Sequence, residues 1–251
     1  MVAEAAGVVT MEAPAKLTTG LRVTGVRDDG YHLIDAEMVS LSLADTLEID
    51  PDGDGLTLES AGSGLTVVAD GDNLVQRALR AVGRTAGVHL TKRIPAGAGL
   101  GGGSSDAAAI FAWAGVTDLD LAASIGADVA FCVHGGRARV RGIGELVEAL
   151  PFVEQTFTLL TPPFGVSTPA VYRVWDELGG PMSESGNDLE PAALAHAPEL
   201  ARWRDALGDA TGVTPTLAGS GGTWFVEGAH DGVVVEGIEA RVAHTVAARS
   251  I

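Results

Sequence analysis

A cluster of glycines in the middle of the chain could hold a phosphate group. Five glycines fall between Pro95 and Asp106, in the run Pro-Ala-Gly-Ala-Gly-Leu-Gly-Gly-Gly-Ser-Ser-Asp. Glycine loses much conformational freedom on folding, so such a cluster is expected where the backbone takes positive φ or approaches a ligand closely. Successive N–H groups can then surround an anion, and the N-terminus of a following helix attracts it further. Ser104 and Ser105 could cap that helix, bind a phosphate oxygen or help to hold Mg²⁺.

Three other interpretations of this segment are less well supported. A P-loop requires Lys and then Ser or Thr after its last glycine, whereas Ser104 follows Gly103 here. Residues 97–102 match the G-x-G-x-x-G pattern of dinucleotide-binding folds, but that pattern follows a buried apolar strand, and residues 91–93 are polar. A flexible turn needs neither a strand before it nor a helix after it. Phosphate binding is therefore the favoured interpretation.

The elements on either side of this loop can position it. Val88–Ile94 alternates in the manner of a half-buried strand and leads into the glycines, and Ala107–Trp113 is predicted to be the helix that follows them. Another helix is predicted for Asn73–Gly87, with Asp72 or Asn73 as its cap. The glycine loop is thus expected to connect a strand to a helix.

The rest of the chain mixes helices and strands without strict alternation. Residues 116–125 predict a short helix, and Ala127–Val140 predicts a loop followed by a strand. One Ala-rich helix is predicted for Pro191–Leu207. This pattern predicts an α+β architecture. We expect two domains, residues 1–152 and 153–251.

The composition disfavours several classes of function. The 251 residues carry a formal net charge of −17, which argues against nucleic acid and anionic membranes as partners. Cys132 is the single cysteine, so no disulfide can form within the chain. We find no signal-peptide pattern, no apolar run of membrane-spanning length and no metal-ligand spacing among the histidines. We expect a cytoplasmic protein that binds a small molecule, has no protein-bound metal motif and is a monomer or a weak homodimer.

Several segments resemble, in order, the motifs of the GHMP kinases, the superfamily that includes galactokinase, homoserine kinase and mevalonate kinase. The glycine loop resembles the superfamily's phosphate loop. The other segments narrow the resemblance to the branch that acts on a cytidine diphosphate-linked methylerythritol. The resemblance extends from about residue 12 to residue 226, and besides the loop it rests on Ala13–Lys16, Asp29–His32, Gly126–Phe131, Thr168–Tyr172, Asn187–Glu190 and Gly219–Gly222.

This resemblance implies a fold and a reaction. The implied fold has an N-terminal domain like that of ribosomal protein S5 and a ferredoxin-like C-terminal domain, with the active site in the cleft between them. The implied reaction transfers a phosphoryl group from ATP, with Mg²⁺, to the 2-hydroxyl of the cytidine-linked substrate. The product belongs to the non-mevalonate route to isoprenoid precursors.

The resemblance also assigns roles to individual residues. Asp128 becomes the candidate base for the acceptor hydroxyl, and Lys16 the cation that keeps it ionised. Without the resemblance, a surface lysine and a helix cap would be the simpler interpretations. The expected ATP-binding residues are Asn73, Pro95, Gly97, Ala98, Gly99, Leu100, Gly101, Gly102, Gly103, Ser104 and Ser105. The expected substrate-binding residues are Thr18, Tyr31, His32, Thr168, Tyr172, Gly219, Ser220 and Gly221.

The chain departs from the family pattern in three places, one of which is a segment from Asp106 to Asp128 that is shorter than expected. Thr18 occupies the position where the family has an Asn on the substrate side, and a hydroxyl cannot replace the donor and acceptor geometry of an amide. The helix that the family has before its last strand is shortened. A GHMP kinase with another acceptor and a non-catalytic nucleotide-binding protein therefore remain alternatives.

Overall fold

The computed structural model describes residues 7–60 and 73–248, and its helices and strands form two sheets with helices packed on them. The helices are α1 Leu74–Ala81, α2 Gly102–Ala114, α3 Leu119–Ile125, α4 Val129–His134, α5 Thr168–Glu177, α6 Glu190–His196 and α7 Leu200–Thr211. The strands are β1 Val9–Val26, β2 His32–Asp50, β3 Gly55–Ser60, β4 Gly87–Lys92, β5 Arg137–Gly142, β6 Leu146–Ala149, β7 Thr156–Leu160, β8 Thr216–Leu217, β9 Trp224–Glu227, β10 Val234–Val235, β11 Ile238–Glu239 and β12 Arg241–His244.

The first sheet is built around a long antiparallel hairpin. Strands β1 and β2 pair along their length, and β2 also pairs with β4 and β5, while β3 and β6 lie outside these. The hairpin turn closes with hydrogen bonds between Arg27 and Tyr31 and from Gly30 to Arg27. Helices α1, α2 and α4 contribute to a core with the strands, in which Leu47, Leu90 and Phe111 are fully buried. This packing places the start of α2 against β1.

The second sheet is antiparallel and has the strand order β12-β7-β9-β8. This is the order of a ferredoxin-like domain, as the sequence resemblance implies. Helices α5, α6 and α7 connect β7 to β8, and Trp203 and Trp224 lie in the core beneath them. The connection from β9 to β12 carries the short hairpin β10–β11 and no helix. The structure thus has no helix where the sequence predicted a shortened one, and the predicted α+β architecture is confirmed.

Four elements differ from the sequence-based expectations. The helix predicted for Asn73–Gly87 ends at Ala81, and Gly87 begins β4. Residues 129–134 form helix α4, not a loop, and α2 begins at Gly102 instead of Ala107. The predicted single Ala-rich helix is two helices, α6 and α7. The break falls at Ala197, which has φ −131° and ψ 78°, because the following Pro198 disfavours helical backbone in the residue before it. Asp72, one of the two candidate caps of α1, lies outside the described residues.

Backbone hydrogen bonds join the first sheet and its loops to the C-terminal part of the chain. The amide of Val246 donates to the carbonyl of Ser40 at 2.9 Å, beside an isolated bridge between Leu41 and Thr245. The amide of Thr223 donates to the carbonyl of Ala98 at 3.0 Å, and Leu21 of β1 bridges to Asn187 in the segment before α6. The division of the chain into residues 1–152 and 153–251 stays a prediction.

Candidate active site

A cavity of about 1240 Å³ lies where the two sheets meet. Its wall comes from β1, the start of β2, the glycine loop, the segment before α4, helix α5 and the loop before β9. Ser105 and Gly221 are the two residues of the predicted site that do not line it. The structure brings together there Lys16, Thr18, Tyr31, His32, Asn73, Pro95, Gly97, Ala98, Gly99, Leu100, Gly101, Gly102, Gly103, Ser104, Asp128, Thr168, Tyr172, Gly219 and Ser220.

The glycine loop has the backbone that its sequence predicts. Gly97, Gly99 and Gly101 have φ of 69°, 76° and 67°, a region that other residues rarely adopt. A Cβ at Gly99 would lie 2.6 Å from the carbonyl oxygen of Ala218, and one at Gly101 would lie 2.6 Å from Cγ of Lys16. The glycines therefore let the loop approach both the segment that contains Ala218 and the side chain of Lys16.

Helix α2 begins directly from this loop without a side-chain cap. Its N-cap residue is Gly101, and no side chain bonds to the first turn. The expectation that Ser104 or Ser105 caps the helix is wrong, because both residues lie inside the first turn. The uncapped N–H groups and the partial positive charge of the helix end are suited to an anionic ligand.

The two serines have different surroundings. Ser105 is buried and donates its hydroxyl to the carbonyl of Pro14 at 2.7 Å, with Sγ of Cys132 at 3.5 Å. Burial raises the pKa of the Cys132 thiol to about 12. Ser105 therefore fixes α2 to β1, and Ser104, which lines the cavity, is the serine placed to meet a ligand.

Lys16 and Asp128 form an ion pair inside the cavity. Lys16 lies in β1 next to a register shift, and its backbone N–H donates to Leu100 at 3.0 Å. Its Nζ is 3.3 Å from Oδ2 of Asp128, whose side chain is 33% exposed while that of Lys16 is 7% exposed. Asp128 occupies the N-cap position of α4 but makes no capping hydrogen bond. The carboxylate is thus paired with the lysine and open to the cavity.

Thr18 contacts the same lysine. Nζ of Lys16 donates to Oγ1 of Thr18 at 3.1 Å, and Thr18 is buried. The residue that departs from the family pattern is therefore part of the surroundings of the ion pair. Its hydroxyl helps to hold Lys16 against the glycine loop.

The ring of His32 lies against helix α5. Its centroid is 4.6 Å from that of Tyr172 and 5.5 Å from that of Trp175, and its Nε2 is 2.8 Å from Oδ1 of Asp176. Burial raises the pKa of Tyr172 well above its ordinary value, and the nearby carboxylate of Asp128 adds to this. Tyr31, the other tyrosine, is 61% exposed at the turn before β2.

A second glycine loop packs against the first. Gly222 has φ of 106°, and a Cβ there would lie 2.6 Å from the carbonyl oxygen of Gly97. Gly219, also at positive φ, lies close to Nζ of Lys16. The hydroxyls of Ser220 and of Thr168, at the start of α5, form a hydrogen bond of 2.7 Å. Gly221 faces inward and supports the loop's shape, and does not line the cavity.

Asn187 holds the second glycine loop, a role that the sequence did not predict. Its Nδ2 donates to the carbonyls of Leu217 and Gly219 at 2.8 and 2.7 Å, and its Oδ1 accepts from the amide of Leu189. The sequence did offer one signal for Asn187, because it lies in Asn187–Glu190, a segment that resembles the family but to which the sequence assigned no role. Asn73, in contrast, caps α1 by accepting from the amide of Val75 at 2.9 Å, and it also lines the cavity.

A buried charge cluster lies beside the first glycine loop and was also missed, and two of its members, Lys92 and Asp106, line the cavity. Nζ of Lys92 donates to Asp45 and, at 2.6 Å, to Asp106 in α2. All three are buried, and Oδ1 of Asp106 has no hydrogen-bond partner in the described structure. Asp45 also accepts from the amide of Ile94 at 2.8 Å. Burial, with the second carboxylate nearby, raises the pKa of Asp106 to about 7 despite the opposing effect of Lys92.

The described part of the chain has neither a metal-binding cluster of side chains nor a membrane-spanning helix. Within residues 7–60 and 73–248, no three His, Cys, Asp or Glu side chains are grouped so as to hold a metal ion. None of the helices in this part of the chain has the length and apolar character needed to cross a membrane.

Comparisons with known proteins agree on one family. The family profile for the GHMP kinases N terminal domain matches residues 73–136, which include the first glycine loop and Asp128. A protein of Paramagnetospirillum magneticum named 4-diphosphocytidyl-2-C-methyl-D-erythritol kinase is 34% identical, over 93% of this chain and 92% of its own. One of Granulibacter bethesdensis with the same name is 40% identical, over 85% and 83%.

Solved structures give the same result. A crystal structure of 4-(cytidine 5'-diphospho)-2C-methyl-D-erythritol kinase superposes with a TM-score of 0.72 at 30% identity, covering 94% of this chain and 98% of its own. A homoserine kinase from Cytophaga hutchinsonii superposes with a TM-score of 0.62 at 19% identity, covering 99% and 97%, and shows the shared fold.

Proposed function

The chain belongs to the family of 4-diphosphocytidyl-2-C-methyl-D-erythritol kinases, and we propose that the cavity between its two sheets is the active site. The protein phosphorylates the 2-hydroxyl of 4-diphosphocytidyl-2-C-methyl-D-erythritol with ATP, a step towards isoprenoid precursors. The observation that supports the location is the Lys16–Asp128 pair beside the first glycine loop, where a phosphoryl group can meet a base.

In this proposal Asp128 accepts the proton of the acceptor hydroxyl. The acceptor oxygen then bonds to the γ-phosphorus, the bond from that phosphorus to the bridging oxygen breaks, and ADP leaves. Asp128 is suited to this because its carboxylate is open to the cavity and is not used in capping α4. The ammonium of Lys16, 3.3 Å from this carboxylate, offsets negative charge on the transferring group.

The first glycine loop is the proposed site of the ATP phosphates. The residues from Pro95 to Ser104 line the cavity, and the uncapped start of α2 faces it with backbone N–H donors. Asn73 at the start of α1 is proposed to lie near the nucleoside. Ser105 is not proposed to contact ATP directly, because its hydroxyl is already bonded to Pro14.

Mg²⁺ is compatible with the oxygen-bearing side chains of this cavity. Mg²⁺ takes oxygen ligands and keeps several waters, so one or two protein oxygens suffice when ATP supplies the others. Ser104 and Asp128 line the cavity and offer such oxygens, whereas Asp106 lies against the Lys92 ammonium, which would repel a cation. Bound with ATP, the ion would neutralise charge on the phosphate oxygens.

The substrate is proposed to bind on the side of α5 and the second glycine loop. His32, Tyr172 and Tyr31 offer rings that can stack on a pyrimidine or contact its edge. Gly219 and Ser220, with Thr168, would lie along the diphosphate, and Thr18 would act through Lys16. The cytoplasm is the compartment we propose, because ATP is the phosphoryl donor and the lone Cys132 forms no internal disulfide.

An ADP-release assay tests this proposal. The protein should turn over the cytidine-linked methylerythritol substrate, with mevalonate, homoserine and galactose tested beside it. Turnover of one of those three and not of the cytidine-linked substrate would contradict the proposed acceptor.

A substitution of the proposed base tests the location of the site. Asp128→Asn should lower kcat by at least about 100-fold, because general-base catalysis contributes on that scale. Asp120→Asn, an exposed carboxylate on α3 outside the cavity, is the matched control and should leave kcat unchanged. A near-normal kcat for Asp128→Asn would remove Asp128 from the mechanism.

A further inference from the structure

We propose that Glu145 is a positioning residue for the proposed base, Asp128. Its carboxylate shapes the turn between β5 and β6, and that turn packs against Ala127, the residue that precedes the base. This inference rests on the proposed function, in which Asp128 accepts the proton of the acceptor hydroxyl. It extends that function because it names an element outside both glycine loops that sets where the base lies. The turn belongs to no segment that the sequence assigned to the site.

The turn between β5 and β6 folds around the carboxylate of Glu145. The last paired residues of the two strands flank four residues, 142–145, which form the turn. Oε2 of Glu145 accepts a hydrogen bond of 2.6 Å from the amide of Ile143 inside the turn. The carboxyl group occupies the place where a side chain at Gly142 would begin, and Gly142 has φ of 73°. A glycine is therefore required there for the carboxylate to fold back over the turn.

The same turn contacts the segment that carries Asp128. Gly144 is buried at φ of 121°, and a Cβ there would lie 2.6 Å from the carbonyl oxygen of Ala127 and 3.1 Å from its Cβ. The backbone of the turn is thus packed closely on the residue that precedes the base. Ile143 and Glu145 line the cavity together with Ala127 and Asp128. The turn therefore forms the cavity wall on the side of the base.

Asp128 has few contacts of its own to fix its position. It occupies the N-cap of α4, a helix of six residues, and its side chain makes no capping hydrogen bond. Among the residues that the structure describes, Lys16 is its single ion-pair partner. The backbone of Ala127 connects the base directly to the contact with the turn. A change in the shape of the turn would therefore move the carboxylate relative to the first glycine loop.

Such a movement should affect the chemical step more than the binding of ligands. A misplacement of about 1 Å in a reacting group can lower a rate by about 100-fold. The residues that line the rest of the cavity do not depend on this turn for their position. Loss of its shape should therefore lower kcat and leave KM nearly unchanged.

Two substitutions of Glu145 test the role of its carboxylate. Gln keeps an oxygen that can accept from the amide of Ile143, whereas Ala removes the acceptor. We expect kcat to fall by about 10-fold or more in Glu145→Ala and by less than about 3-fold in Glu145→Gln, with KM for ATP and for the cytidine-linked substrate within about 2-fold of wild type in both. Glu154→Ala, an exposed carboxylate before β7 and outside the cavity, is the control and should leave kcat unchanged.

A raised KM with a normal kcat in Glu145→Ala would show that Glu145 contacts a ligand directly, and it would overturn the inference. An equal loss of kcat in Glu145→Gln and Glu145→Ala would also overturn it, because the hydrogen bond to Ile143 would then not be the cause.

Gly144→Ala tests the contact with Ala127. The new Cβ would lie 2.6 Å from a backbone oxygen, so the segment before Asp128 must shift, and we expect kcat to fall by about 10-fold or more. Gly55→Ala is the matched control, since Gly55 has φ of 94° but nothing within 4 Å of a new Cβ. Equal kcat values for the two variants would contradict the inference. Glu145→Ala keeps the inference testable if Gly144→Ala does not fold.

A double substitution separates positioning of the base from a general structural role. In a protein that already carries Asp128→Asn, Glu145→Ala should lower kcat further by less than about 2-fold, because the base that it positions is absent. A purely structural effect would lower kcat by the same factor with and without Asp128, and that result would exclude a positioning role.

The two proposals fail in different ways. A near-normal kcat in Asp128→Asn contradicts the proposed base, and the inference with it. A large loss of kcat in Asp128→Asn, together with a normal kcat in Glu145→Ala, contradicts the inference alone.

Discussion

Two buried lysines line the cavity in different surroundings, and the difference supports the catalytic role proposed for one of them. Lys92 is enclosed by the carboxylates of Asp45 and Asp106, so its charge is fully compensated inside the protein. Lys16 has one carboxylate partner, and that partner is partly open to the cavity. Two carboxylates against one ammonium leave the Lys92 cluster with no excess positive charge. Under the proposed mechanism, Lys16, which has a single and partly exposed carboxylate partner, is therefore the better placed of the two to meet a transferring phosphoryl group.

Asp106→Asn should change how stability depends on pH. Burial raises the pKa of Asp106 from its ordinary value of 3.8 to about 7. Between pH 3.8 and about pH 7 the folded state binds more protons than the unfolded state. The contribution of Asp106 to the free energy of unfolding therefore decreases as pH rises. Asn does not titrate, so the free energy of unfolding of the variant minus that of the wild type should increase by about 2 kcal/mol from pH 5 to pH 8.

Urea denaturation at pH 5, 6, 7 and 8 measures this difference. Asp120→Asn, whose carboxylate is exposed, is the control and should give a difference that does not vary with pH. A constant difference for Asp106→Asn as well would show that Asp106 titrates normally in the folded protein.

The first glycine loop and α2 act as one element, because the loop supplies the helix with its first turn. The positive φ values of Gly97, Gly99 and Gly101 bring the backbone against the second glycine loop and against Lys16. The hydroxyl of Ser105 then fixes the same turn to β1. The position of Lys16 therefore depends on glycines that are distant from it in sequence.

Gly101→Ala should impair activity more than its effect on stability would suggest. The new Cβ would lie 2.6 Å from Cγ of Lys16, so the lysine must shift away from Asp128. We expect kcat/KM to fall more than about 10-fold, together with a loss of about 1–2 kcal/mol from the strained positive φ. Gly115→Ala is the matched control, since Gly115 has φ of 69° but nothing within 4 Å of a new Cβ.

The two measurements are steady-state kinetics and urea denaturation of both variants. Gly115→Ala should lose comparable stability and keep its activity. Equal activities for the two variants would show that the contact with Lys16 is unimportant.

The sequence predicted elements better than it predicted contacts. The glycine loop could be predicted because its unusual composition has a local physical cause. Helix α4 was missed because its six residues form an apolar run too short to show a helical period. The bonds of Asn187 to Leu217 and of His32 to Asp176 join residues far apart in the chain, and no local pattern records such pairs.

At the scale of the whole molecule, the shape of the cavity depends on a few side-chain hydrogen bonds that join the two parts of the chain. Asp188 accepts from Arg22 at 2.6 Å and from the amide of Val23 at 3.1 Å, which ties the segment before α6 to β1. The neighbouring Asn187 then holds the second glycine loop beside Lys16. The second glycine loop is thus positioned by a segment that is itself tied to β1.

Asn187→Ala should weaken both the fold and the binding of substrate. Two buried carbonyls would lose their donor, and each such loss costs about 1–3 kcal/mol. We expect a loss of about 2–4 kcal/mol in the free energy of unfolding and a higher KM for the cytidine-linked substrate, because Gly219 would no longer be held. Glu184→Ala, exposed in the same segment, is the control for both measurements. An unchanged KM would show that Gly219 is held by other contacts.

The strand order of the second sheet also constrains how the chain can fold as it is synthesised. Strand β7 is the first of that sheet to leave the ribosome, yet both of its partners, β9 and β12, come more than sixty residues later. The β1–β2 hairpin, by contrast, pairs neighbouring segments and can form at once. A nascent chain would therefore carry β7 with both edges unpaired until β9 has been synthesised, a state prone to association with other chains.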